Sequence, residues 1–175
     1  MGPTDNPSIV VADAGPLIHL DELDCLNLLE DFLSVIVPDA VRGEVERHRP
    51  GSLRKLLRPD YRIAPLPTPE LAALFKAFAL DAGEQEALSC LSTCPTAVLL
   101  TDDAAARLAA KTLRLRANGT IGILLRAIRR NQRSRDEILA LLHEIPHRST
   151  LHIRPSLLRE IISEVEITSP PAPAT

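Results

Sequence analysis

A chain of 175 residues with 45% hydrophobic content suits one domain with a substantial core and is short for two. Aromatics make up only 2%, which leaves Leu, Ile, Val and Ala to fill the interior and argues against stacking platforms for single-stranded bases. A formal net charge of −3 argues against nucleic-acid binding by overall positive potential, so any such contact has to be local.

Two basic stretches offer such contacts: Arg42, Arg47, His48, Arg49, Arg54, Lys55 and Arg58, and then Arg126, Arg129, Arg130, Arg133 and Arg135. A solvated helix face is the alternative reading of each. Cys25, Cys90 and Cys94 are odd in number and form no CxxC pair, which predicts free thiols and no zinc site. No apolar run approaches the roughly 20 residues of a membrane-spanning helix, Met1 to Ser8 lack the order of a signal peptide, and residues 1–7 are expected to be disordered. A cytoplasmic location with no membrane partner is the expectation.

In chain order, Ile9–Ala12 is a short apolar run that ends abruptly at Asp13, and Gly15-Pro16 predicts a turn. Apolar residues at helical spacing follow from Leu23 to Phe32. Val35–Val37 reads as a second buried strand stopped by Pro38, with Asp39 placed to cap a helix over Ala40–His48. Arg62–Ala64 is a weak strand candidate. Helices are predicted near Glu70–Leu80 and Gly83–Cys94, the second opened by Asp81 and Glu84 at capping-box spacing. Ala97–Leu100 is the second clear strand that ends in acid, at Asp102 and Asp103. A short strand at Leu113–Arg116 and helices near Ile121–Arg130, Arg135–Ile145 and Pro155–Glu164 complete the pattern. The Pro-rich residues 168–175 are expected to be disordered. Short continuous apolar strands alternating with helices predict an α/β fold with a parallel sheet covered on both faces.

In open parallel sheets, ligands bind beyond the carboxyl ends of the strands. Asp13 and the Asp102/Asp103 pair stand at such ends, while Glu44 borders the apolar stripe of its helix and Glu84 lies in a first helical turn. Taken singly, each acid reads as a cap or as solvated surface. Together they form a cluster that needs a cation against mutual repulsion, and all-oxygen donors select Mg²⁺ or Mn²⁺. Metal-dependent phosphodiester hydrolysis is the chemistry that such a set serves.

Five ordered segments carry a resemblance: Val11–Ile18, Val37–Val45, Asp81–Leu88, Leu100–Asp103 with Ala106-Arg107, and Gly119–Leu124. They resemble the motifs of PIN domains, and most of all the VapC-like toxin ribonucleases of toxin-antitoxin pairs. The resemblance spans roughly residues 8–165, and residues 8–167 are taken as one PIN-like domain. It implies a three-layer α/β/α fold with a short central parallel sheet, an Mg²⁺ or Mn²⁺ site, RNA as substrate, a cognate antitoxin and a homodimer. It implies Asp13, Glu44, Glu84 and Asp103 as catalytic and metal-binding acids, with Asp102 as substitute or addition. Ala14-Gly15 stands where many relatives have a hydroxyl residue, and Thr120 is the expected partial stand-in. His19, His48, His143, His147 and His152 read as surface or core-edge residues. The alternatives are a protein-interaction module with little or no nuclease activity and, less favoured by motif order, an Mg²⁺-dependent phosphatase or phospho-receiver.

Overall fold

The computed structural model describes residues 9–167. The expectations for residues 1–7 and 168–175 lie outside this range. Five strands, β1 (Ile9–Ala12), β2 (Ser34–Pro38), β3 (Pro59–Arg62), β4 (Val98–Leu100) and β5 (Arg116–Asn118), form one sheet in the order β3-β2-β1-β4-β5. Every pairing is parallel. Around it run α1 (Ala14–Glu22), α2 (Asp39–His48), α3 (Pro69–Ala77), α4 (Ala82–Ser92), α5 (Ala104–Thr112), α6 (Thr120–Arg129), α7 (Arg135–Arg148) and α8 (Pro155–Ile167).

Alternation along the strands builds the two faces, because successive side chains point to opposite sides of a sheet. Val10, Ala12, Val35, Val37, Val98 and Leu100 pack with residues of α1, α2, α6, α7 and α8. Val11, Ile36 and Leu99 pack with residues of α3, α4 and α5. The central strands β1, β2 and β4 are therefore apolar on both faces, as a doubly covered sheet requires. The expected α/β architecture is what the chain adopts.

The order of the strands fixes where a site can form. From β1 the chain moves outward to β2 and β3, then returns to the other side of β1 for β4 and β5. The reversal leaves a crevice beyond the carboxyl ends of β1 and β4, where connections depart to opposite sides. Ala12 pairs with Leu100 in register, so Asp13 and Thr101 emerge side by side.

Several local expectations are corrected. Gly15-Pro16 is no turn: α1 starts directly after Asp13, and Pro16 sits in its first turn, where the missing N–H costs no helical bond. Instead of one helix over Leu23–Phe32, Asp24 takes a left-handed φ of 55° and a 3-10 segment, Leu26–Asp31, follows. This break lets Leu26, Leu28, Leu29 and Phe32 all enter the core. Asp39 does not cap α2. It is exposed within the first turn, and Glu86 of α4 accepts the Ala40 N–H instead, at 2.8 Å. The weak strands are displaced, with β3 ahead of Ile63 and β5 starting at Arg116. Both are edge strands with one neighbour each, so little apolar pattern marks them.

Candidate metal centre

Asp13 is the first residue beyond β1 and caps α1. Its Oδ1 accepts the Ala14 N–H at 2.8 Å, and its Oδ2 accepts the Thr101 hydroxyl at 2.9 Å. Thr101 is completely buried at the end of β4, and its oxygen also accepts the Asp103 N–H at 3.1 Å. One hydroxyl thus ties the acid after β1 to the segment after β4. The motif resemblance offers Thr120 as the compensating hydroxyl and gives Thr101 no role. In the structure Thr101 serves Asp13 and Thr120 serves Asp102, and a polar residue closing an apolar run is the signal that marked Thr101.

Asp103 caps α5, accepting the Ala106 N–H at 2.8 Å. Glu84 and Asp81 form the predicted capping box on α4: the Glu84 N–H donates to Asp81 at 2.9 Å, and the Asp81 N–H donates to Glu84 at 2.8 Å. The Ala40 to Glu86 bond clasps α2 to α4 and brings Glu44 to this corner. Gly83 faces this contact, where a Cβ would lie at ordinary packing distances of 3.5 Å from Glu44 Oε2 and 3.4 Å from Val41.

Charge shows that these acids sense one another. Burial, reinforced by the charges of Asp81 and Glu44, outweighs the hydrogen bonds to Asp13 and pushes its pKa up to about 6. Burial also pushes Glu84 up to about 7, with Asp81, Asp103 and Asp13 adding repulsion. Asp13, Glu44, Glu84 and Asp103 are thereby linked, and Asp81, read from sequence only as a cap, joins them.

Asp102 is engaged elsewhere. It accepts from Thr120 N at 2.8 Å and from the Thr120 hydroxyl at 2.6 Å, and pairs with His19 Nδ1 at 2.8 Å. Burial by itself would raise its pKa, but these partners outweigh burial and hold it below the ordinary carboxylate value. His19, only 13% exposed, is thus a core-edge residue with a defined partner. Gly119 permits this junction, because a Cβ there would collide with the Asp102 carboxylate and the Arg107 guanidinium.

The acids suit a hard divalent cation in donor type and in charge, since two of them are held toward neutrality by burial and mutual repulsion. As arranged, no three Asp, Glu, His or Cys side chains among the described residues converge to hold one ion. The Glu84 carboxylate is turned back to the Asp81 N–H and Asp103 to the Ala106 N–H, so convergence requires side-chain rotation. Beside the acids lies an open cleft of about 530 Å³, lined in part by Glu44, Arg47, His48 and Asp81. Other cations of the basic stretches hold the fold together: Arg49 and Lys55 pair with Asp21, and Arg126 and Arg130 with Asp31.

The pKa shifts predict a pH response. Asp13 and Glu84 bind protons more tightly in the native chain than in the unfolded one, so without divalent cations stability falls as pH rises from about 4 through about 7. The Asp13 contribution is on the order of 2–3 kcal/mol. The lowered pKa values of Asp21 and Asp102 act in the opposite sense but in a more acidic window, their contribution being lost as pH falls below the ordinary carboxylate value. Urea midpoints in EDTA are expected to be lower at pH 8 than at pH 5, and added Mn²⁺ is expected to recover most of the difference. A midpoint that rises steadily over this interval in EDTA contradicts the burial of these acids.

No helix among the described residues is long and apolar enough to cross a membrane. No curated protein and no solved structure matches the chain. A family model described as PIN domain matches residues 9–167, the whole of the described fold and every acid discussed above. The chain therefore belongs to the PIN-domain family, whose members are generally nucleases that use divalent metals.

Proposed function

We infer that this protein is an Mg²⁺- or Mn²⁺-dependent endoribonuclease, the VapC-like toxin component of a toxin-antitoxin pair. Asp13, Glu44, Glu84 and Asp103 would hold the metal once the Glu84 and Asp103 side chains rotate from their caps, and Asp102 positions the loop that carries Asp103. The observation that carries this reading is the elevation of Asp13 and Glu84 toward neutrality at the crevice where strand order reverses. An isolated structural acid gains nothing from such a place, whereas a cation makes the cluster favourable. When bound, the cation stabilises charge developing on the phosphodiester and favours attack by water. Thr101 keeps Asp13 oriented, and the Thr101 to Asp103 bond keeps the second acid at the same corner. Arg47 and His48, beside Glu44 in the open cleft, supply local attraction for the RNA backbone in a chain of net negative charge.

The toxin role, the cognate antitoxin, the homodimer and the cytoplasmic setting rest on the motif resemblance. A second reading, a protein-interaction module with little nuclease activity, is favoured by the engagement of the Glu84 and Asp103 carboxylates in helix caps. Cleavage of a mixed set of labelled RNAs, with Mg²⁺ or Mn²⁺ and with EDTA, separates the two. Metal-dependent cutting is expected, and no cutting of any RNA by folded, metal-replete protein would favour the interaction module.

A further inference from the structure

On the sheet face covered by α6, a cleft of about 360 Å³ opens beside the edge strand β5. Val10, Val98 and Leu100 floor it, and Arg116 of β5 with Arg126 and Arg129 of α6 rim it. Such a volume lies within the range of about 300–1,000 Å³ typical of small-ligand sites. Val10, Val98 and Leu100 are already buried by the fold, so the groups that the cleft offers to a ligand are the arginines of its rim.

The charge pattern points the same way. Arg126, Arg129 and Arg130 occupy positions i, i+3 and i+4 of a helical run, where like charges repel. Asp31 pairs with Arg126 and Arg130, while Arg129 is exposed and makes no ion pair or hydrogen bond among the described residues. Burial, with Arg130 and Arg129 adding repulsion, outweighs Asp31 and lowers the Arg126 pKa. An anion in the cleft would relieve this repulsion, and guanidinium forks match phosphate oxygens.

The rim arginines lie at the start of β5 and the end of α6, away from the acids, and the lining of the cleft runs from there toward them. Leu100, on its floor, immediately precedes Thr101, and Asn118, on its wall, is two residues before Thr120. We propose that this cleft binds a nucleotide of the RNA strand away from the scissile bond, its phosphate taken by Arg129 together with the Arg116 guanidinium, which also donates to the Thr96 carbonyl at 3.1 Å. The proposal rests on the ribonuclease reading and adds a second contact point on the strand.

The test is binding of a short labelled single-stranded RNA, followed by fluorescence anisotropy in EDTA so that no cutting occurs. Arg129→Gln and Arg116→Gln are each expected to weaken binding about 5–10-fold and to reduce the salt slope by about 1, as loss of one phosphate contact does. Lys111→Gln, a charge change on α5 across the sheet, is expected to leave binding unchanged. Unchanged RNA affinity in both arginine variants overturns the cleft assignment while leaving the ribonuclease reading to the cleavage assay. An equal loss in Lys111→Gln also overturns it, by showing a general charge effect. Binding of a nucleoside monophosphate through these arginines with no RNA binding overturns the strand assignment in favour of a small ligand. Absence of all RNA binding by the wild-type chain overturns it too, and metal-dependent cleavage then decides the ribonuclease reading separately.

Discussion

Asp13→Asn is expected to lower metal-dependent RNA cleavage by roughly 10²-fold or more while making the metal-free protein more stable at neutral pH. Both effects follow from one side chain. The amide oxygen of Asn still accepts the Ala14 N–H, and its NH₂ group reaches the Thr101 oxygen, so the cap and the link between β1 and β4 persist. What disappears is a negative charge that burial and neighbouring acids disfavour. The gain near pH 7.5 in EDTA is on the order of 1–2 kcal/mol, read as a higher urea midpoint or Tm. Added Mn²⁺ should stabilise the variant less than the wild type. Full cleavage activity in Asp13→Asn would remove this residue from the metal site.

The adjacent acids Asp102 and Asp103 are expected to separate in opposite directions. Asp102→Ala leaves His19 Nδ1, the Thr120 N–H and the Thr120 hydroxyl without their shared acceptor in a partly buried junction. A loss of about 2–4 kcal/mol is expected, seen as a Tm well below that of the wild type. Asp103→Asn keeps a side-chain oxygen for the Ala106 N–H, so its stability changes by less than about 1 kcal/mol. Its cleavage rate is the quantity expected to fall, by roughly 10²-fold. A stable, inactive Asp102→Ala beside an unstable, active Asp103→Asn would exchange the two roles.

The contrast between these neighbours shows how far the sequence could be read. Asp13 and the Asp102/Asp103 pair stood out because each ended an uninterrupted apolar run, and a parallel sheet gathers such ends at one edge. The capping box of Asp81 and Glu84 was legible because it is local, a three-residue spacing with one geometry. The division of labour between Asp102 and Asp103 was not, because the partner that claims Asp102 is His19, 83 residues earlier. Thr101 was missed for the same reason, its bond to Asp13 spanning 88 residues. Asp39 misled because a capping residue before a helix is the ordinary local solution, and here Glu86 of α4 supplies the acceptor from outside. Local chemistry marks the Asp81–Glu84 capping box but misplaces the turn at Gly15-Pro16 and the cap at Asp39, and only the assembled sheet brings the distant acids together.

The proposed sharing of a divalent cation by Asp13, Glu44, Glu84 and Asp103 is tested by Mn²⁺ binding at about pH 6, followed by calorimetry on the wild-type chain and on Asp13→Asn. Saturable binding accompanied by proton release is expected, because at this pH Asp13 and Glu84 still hold protons that they must shed to ligate, and Asp13→Asn is expected to lose most of that affinity. Binding of equal strength in both proteins, or no binding by the folded wild type, would contradict it.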